Sequence, residues 1–202
     1  MTGSRAYVVF CHPTHDSLAG AALERVLAGL RTSGHEVRVS DLYAEGFQPA
    51  FTADDLVHHH VDHRSRPDLR PDMATYIEHL RWCDTLVLVH PTWWSGQPAM
   101  LKGWIDRIFV SGVAWTMPPG AVRIHPALTN VRRIVAVTTH GSSKLVNSVQ
   151  GESGKRIMTR SIRTMCHRFC RTQWIALYSV DRCSAAQRAA FLDRVERRLS
   201  RR

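Results

Sequence analysis

Residues 85–109 read TLVLVHPTWWSGQPAMLKGWIDRIF, an apolar run that breaks into an aromatic loop and then resumes at helical spacing. The run 85–89 is too short for a helix and is dominated by Val and Leu, as a strand buried on both faces of a parallel sheet requires. Pro91 is expected to end it, because proline offers the sheet no backbone donor. Gly96 and Pro98 permit a sharp reversal, after which Met100, Leu101, Trp104, Ile105, Ile108 and Phe109 repeat with the period of a buried helix face. Trp93 and Trp94 therefore stand at a strand's carboxyl end, where open α/β sheets bind ligands. Two large flat side chains there point to a planar ligand, packing being the plainer alternative.

The same grammar extends to both sides. Residues 6–11 (AYVVFC) read as a first buried strand and 17–30 as a helix with Leu18, Ala22, Val26 and Leu30 on one face. Between them HPTHD supplies Asp16 or Ser17 as helix cap, and the helix start beyond it suits a phosphate, although no GxGxxG fingerprint is present. EVRVSD (36–41) alternates as a second strand. A short helix is expected over 52–60, and the polar, proline-punctuated HHHVDHRSRPDLRPD (58–72) reads as a surface excursion. Its histidines, His58, His59, His60 and His63, lack a carboxylate or thiol at a recognisable ligand spacing, so no metal site is assigned.

Helical spacing returns over 72–82, and the loop 111–128, with its three prolines, carries Trp115 and Met117 as candidates to close over a pocket. Residues 131–139 (VRRIVAVTT) make a fourth strand followed at once by HGSS, where Gly141 and its neighbours offer consecutive backbone donors. GESGKR (151–156) fails as a phosphate loop, since Val149 stands where the first glycine belongs and Arg156 where magnesium needs Ser or Thr. A helix over 155–169, a fifth strand at 172–178 and a final helix over 184–199 complete the chain. Five strands alternating with helices imply one α/β domain over 1–202, a three-layer sandwich with a five-stranded parallel sheet and helices on both faces, for which 2-1-3-4-5 is a known doubly wound order. That order brings loops 12–17, 91–96 and 138–143 to one rim.

Composition narrows the function classes. Of 27 basic residues only three are Lys, and the net charge is +10. No aromatic-basic motif accompanies the charge, so a solvated Arg-rich surface is the better reading than a nucleic-acid partner, and an acidic cofactor would also be attracted. Five cysteines without a CxxC pair suit a reducing compartment, and neither an export signal nor an apolar run near the ~18 residues of a membrane span is read. The expectation is a cytoplasmic protein. Cys166 and Cys170 are read as buried thiols rather than a redox pair.

Four blocks carry a resemblance: HPTHDSLA (12–19), SDLYAEGFQP (40–49), HPTWWSGQPAMLKGWIDRIF (90–109) and TTHGSS (138–143). With them the chain resembles, over nearly all its length, the quinone reductase and modulator-of-drug-activity branch of the flavodoxin-like NAD(P)H oxidoreductases. The resemblance implies a flavodoxin-like fold, a homodimer and a bound flavin, FAD in most members and FMN in some. Carried over by motif, His12, Ser17, Leu18 and Ala19 would hold the phosphate end, while Pro91, Thr92, Trp93 and Trp94 with Thr138, Thr139, His140 and Gly141 would surround the ring. NAD(P)H would supply hydride and a quinone-like small molecule would collect two electrons by a ping-pong route. The Gly141 backbone or a protonated His140 would stabilise the charge that develops. The alternative within this fold is a flavin-bound accessory or regulatory protein with incidental turnover.

Departures from the family pattern fall in the acceptor pocket. Mammalian-type quinone reductases place a Tyr and a His shortly after a TTGG-like turn, where this chain has Asn147 and Ser153. His140 stands where glycine is common, and Trp115 and Met117 replace aromatic pocket residues, so Trp115, Met117 and Asn147 are the expected substrate-pocket residues.

Overall fold

The structure, a computed structural model, describes residues 4–66, 68 and 70–201. In chain order, β1 (Arg5–Phe10), α1 (Leu18–Thr32) and β2 (Glu36–Asp41) are followed by α2 (Ala53–His58), α3 (Ala74–Trp82), β3 (Thr85–Pro91) and α4 (Ala99–Ile108). Then come β4 (Trp115–Thr116), β5 (His125–Pro126), β6 (Arg133–Thr139), α5 (Lys144–Val149), α6 (Ser153–Arg156), β7 (Arg171–Leu177) and α7 (Ala185–Leu199).

Strand β3 is buried along its whole length and sends alternate side chains into two cores. Leu86 and Leu88 join Tyr7, Val9, Ile134 and Ala136 in one core, closed by α3, α4 and the segment after α6. Val87 and Val89 join Val8, Phe10, Val135 and Val137 in the other, closed by Leu23, Val26 and Leu30 of α1 and Phe191, Val195 and Leu199 of α7. A strand covered on both faces has no polar side to show, which is why its sequence is continuously apolar.

The main sheet is parallel throughout with order β2-β1-β3-β6-β7, the expected 2-1-3-4-5 once the separate antiparallel ribbon β4-β5 is set aside. Both long helices have the caps their sequences offer. Ser17 accepts from the Gly20 amide, and Ser184 forms a reciprocal box with Gln187. Among the described residues no helix is long and apolar enough to cross a membrane.

Three sequence expectations need correction. β3 does not end before Pro91, which pairs with Thr139 as the last residue of the strand, and the Thr92 amide then continues the ladder to the Thr139 carbonyl at 2.8 Å. The helix expected over 155–169 is four residues of α6 followed by a wide π-type turn over Ile157–Ile162, and Cys166 instead bridges to Leu128. Cys166 and Cys170 are both buried there, as expected.

The segment 58–72 is more than a surface excursion. Asp55 in the first turn of α2, His63 and Arg70 are all buried. The Asp55 carboxylate accepts from Arg107 Nε of α4 at 2.9 Å and from Arg70, and Arg107 Nη2 reaches Asp72 at 2.9 Å. Burial opposes the charge on Asp55, but the Thr52 amide and the two guanidiniums more than offset it and hold its carboxyl below the ordinary range. α5, unforeseen from sequence, carries Leu145, Val146 and Val149 exposed and so shows no buried stripe to read.

Candidate active site

The loops that follow β1, β3 and β6 meet at one rim, because these three strands are parallel neighbours with Phe10, Val89 and Val137 in register. The loop 11–17 is tied down at its start, where the Cys11 amide donates to the Val89 carbonyl at 2.9 Å. His12 Nδ1 lies 2.7 Å from the Thr14 carbonyl oxygen, and Ser17 Oγ donates to the same oxygen at 3.0 Å. The turn then lies directly on α1. A Cβ at Gly20 would stand 2.0 Å from the His15 carbonyl oxygen, so only glycine admits this approach. With Ser17 serving the Gly20 amide and the Ala21 amide bonded to the Ser17 carbonyl, the amides of Leu18 and Ala19 have no protein acceptor among the described residues. Two orphan donors at the start of a helix of 15 residues with no acidic side chain in its first turn are groups to which an anion could bond.

The second loop turns through Trp94 and Ser95, both with positive φ of 49° and 62°. Trp93 and Gly96 exchange backbone hydrogen bonds across the turn at 3.1 and 3.0 Å. The turn holds Trp94 fully exposed and Trp93 44% exposed. It is clamped from behind: Ser95 Oγ donates to Gln150 Oε1 at 2.7 Å, Ser153 Oγ to the Ser95 carbonyl at 2.6 Å, and Gln97 Nε2 to the Gly154 carbonyl at 2.8 Å.

Between this loop and 140–142 lies a concavity of about 290 Å³ lined by Thr92, Trp94, His140, Gly141, Ser142 and Asn147 among others. A polar chain runs along its floor. Thr138 Oγ1 and Thr92 Oγ1 are 3.0 Å apart, Thr92 Oγ1 is 3.4 Å from His140 Nε2, and His140 Nδ1 is 2.8 Å from Asn147 Oδ1. The Asn147 amide nitrogen donates to the Ser143 carbonyl at 2.8 Å, so its oxygen faces His140 and His140 must donate from Nδ1. Nε2 is then left as an acceptor. Burial lowers the His140 pKa and the Asn147 bond only partly opposes this, which disfavours the protonated ring, one of the two donors offered by the sequence, and favours the other, the Gly141 backbone. Tyr178, just past β7, stacks on it with centroids 4.5 Å apart.

Not every anticipated residue is here. Trp115 and Met117 do not line the concavity. The Trp115 indole donates to the Phe109 carbonyl at 3.0 Å and packs near His59 and His60, while Met117 is exposed. Tyr178, Ser95, Ser142 and Gln150 are present without having been singled out. Tyr178 had a signal, an aromatic residue ending the fifth strand. Ser95 and Gln150 had none, being ordinary polar residues 55 positions apart.

The donor set fits a flavin. Orphan helix-start amides suit its phosphate, and the amides of Gly141 and Ser142, which have no protein acceptor among the described residues, suit the polar edge of its ring.

The chain belongs to the flavodoxin-like NAD(P)H:quinone oxidoreductase family: the family described as flavodoxin-like fold matches residues 4–202. Rat NAD(P)H dehydrogenase [quinone] 1 is 28% identical over 215 residues, covering 98% of this chain and 77% of the rat protein. The NAD(P)H:quinone oxidoreductase of Methanothermobacter marburgensis superposes with a TM-score of 0.83 at 21% identity, covering 99% of each chain. An FMN-dependent NADH-azoreductase of Bacillus anthracis, solved with FMN, superposes at 0.76 with 12% identity over 98% of each chain. These last two likenesses speak for the fold.

Proposed function

We propose that this chain is a flavin-dependent NAD(P)H oxidoreductase that delivers two electrons to a quinone-type acceptor by a ping-pong route. Family membership makes it an NAD(P)H-dependent oxidoreductase. The observation that carries the flavin is the pairing, on one rim, of the unpartnered Leu18 and Ala19 amides with the Gly141 and Ser142 amides and the exposed Trp93 and Trp94. A bound flavin supplies hydride acceptance from the nicotinamide and electron release to the acceptor.

The protein groups bind and orient. His12 and Ser17 shape the turn that presents the Leu18 and Ala19 amides to a phosphate. Pro91, Thr92, Trp93 and Trp94 border one side of the ring and Thr138, Thr139, His140 and Gly141 the other. Gly141 is the group placed to meet developing charge, by its backbone N–H, while His140, whose Nε2 accepts from the Thr92 hydroxyl, orients that side chain beside the ring. FAD is the favoured cofactor, with FMN the alternative that the azoreductase solved with FMN supports. The working form in this proposal is a cytoplasmic homodimer of one domain per chain, with Asn147 beneath the acceptor.

Steady-state assay of the purified chain with NADPH or NADH and a simple quinone tests this. Parallel double-reciprocal plots and flavin that co-purifies are expected. A chain that turns over neither nucleotide with any acceptor and takes up no added flavin would remove the proposal.

A further inference from the structure

β7 is an edge strand, and a groove of about 520 Å³, larger than the concavity at His140, runs along it between α5 and α6 on one side and α7 on the other. Its wall carries four cations, Lys144, Lys155, Arg194 and Arg198, and no carboxylate. Lys155 is paired with Glu152 at 2.8 Å, whereas Lys144, Arg194 and Arg198 have no carboxylate partner among the described residues. Arg194 is held in place: one nitrogen of its guanidinium donates to the Ala176 carbonyl on the outer edge of β7 at 2.7 Å, which leaves the rest of the fork to the groove. Trp174 and Tyr178 supply aromatic walls, and Trp174 Nε1 is a buried donor with no partner.

The groove adjoins the active site. Tyr178 stacks on His140, and Lys155 and Trp174 also line the small enclosed space beside His140 and Thr92. An anion-binding trough with flat walls that opens from a redox rim matches the long polar arm of a dinucleotide whose reactive ring lies at that rim.

Resting on the oxidoreductase reading above, we propose that this groove binds the adenosine end of the reduced pyridine nucleotide. Lys144, Arg194 and Arg198 hold its phosphates, and the 2′-phosphate makes NADPH the preferred donor. The flavin's own phosphates are already provided for at the Leu18 and Ala19 amides on α1.

The probe is adenosine 2′,5′-bisphosphate, titrated calorimetrically into the flavin-loaded and the flavin-free chain. Lys144→Gln with Arg198→Gln, which removes exposed side chains only, should weaken probe binding and raise the NADPH KM by about tenfold each while kcat stays within about twofold. Arg31→Gln with Arg188→Gln, the same charge loss elsewhere, should change neither. An affinity for the probe that the groove variant leaves unaltered overturns the assignment. So does a probe site that FAD loading blocks and FMN loading does not, since the groove would then hold the flavin's adenylate. The calorimetric arm needs no turnover: groove-dependent probe binding by a chain that takes no flavin keeps this assignment and removes the functional reading, whereas turnover with groove-independent probe binding does the reverse.

Discussion

His140 donates from Nδ1 to the side-chain oxygen of Asn147, and the direction of that bond is fixed from behind by the Asn147 amide nitrogen on the Ser143 carbonyl. One buried amide therefore sets the tautomer of the histidine that faces the site, leaving Nε2 toward the Thr92 hydroxyl. Asn147→Ala removes the acceptor that favours the charged ring, so the His140 pKa should fall further, and the stranded Nδ1–H should cost about 1–3 kcal/mol of stability. Asn147→Asp should raise that pKa instead. Following the ring protons by NMR against pH checks both, and a His140 titration identical in all three proteins would contradict the bond between His140 and Asn147.

The buried ionic cluster makes a prediction about stability alone. Asp55 has two guanidiniums on its carboxylate and its side chain is 3% exposed. Asp55→Ala leaves Arg70 in the interior without its counter-charge and Arg107 with Asp72 alone, and should cost about 3–5 kcal/mol in a denaturant titration. A loss under about 1 kcal/mol would mean that the segment carrying Arg70 is not anchored as described.

That cluster also marks where the sequence stopped being legible. The parallel sheet could be read because its strands and long helices announce themselves locally, by an apolar run such as 85–89 or a cap such as Ser184, whereas its order and rim followed from the family pattern. Asp55, Arg70 and Arg107 are spread over 52 positions, each looking like an ordinary surface charge, and only the fold brings them together. The π-type turn at Ile157–Ile162 keeps helical spacing while changing the chain's path, so periodicity overran it. At the site, the loops at strand ends were legible. The clamp of Ser95 on Gln150 and the protonation state of His140 were not, because both depend on what a residue packs against.

A third prediction concerns acid. His90 is buried with Nδ1 on the Pro91 carbonyl and Nε2 without a partner, and burial pushes its pKa from 6.5 down to about 4. The folded-state value is the lower one, so the unfolded chain takes up a proton in this window that the folded chain refuses. The contribution is fully present above about pH 6.5 and is lost as pH falls toward about 4. His90→Gln should reduce the slope of stability against pH there by up to about 1.4 kcal/mol per unit. Thermal melts across the window decide it; an unchanged slope would show that His90 charges freely in the fold.

Ser17 links helix stability to ligand binding. Ser17→Ala removes the cap on the Gly20 amide and should cost about 1 kcal/mol of stability. The same change loosens the turn that presents the Leu18 and Ala19 amides, so affinity for FMN should fall as well. Loss of stability with FMN affinity intact would separate the cap from the phosphate site.

Direct titration of the flavin-free chain with FAD and with FMN, following the quenching of flavin fluorescence, bears most closely on the whole account. Saturable binding of one flavin per chain is predicted, weakened when a bulky side chain is placed at Gly141, where a Cβ would already stand 3.3 Å from the Asp181 carboxylate. Flavin fluorescence that neither chain alters at any concentration would contradict it.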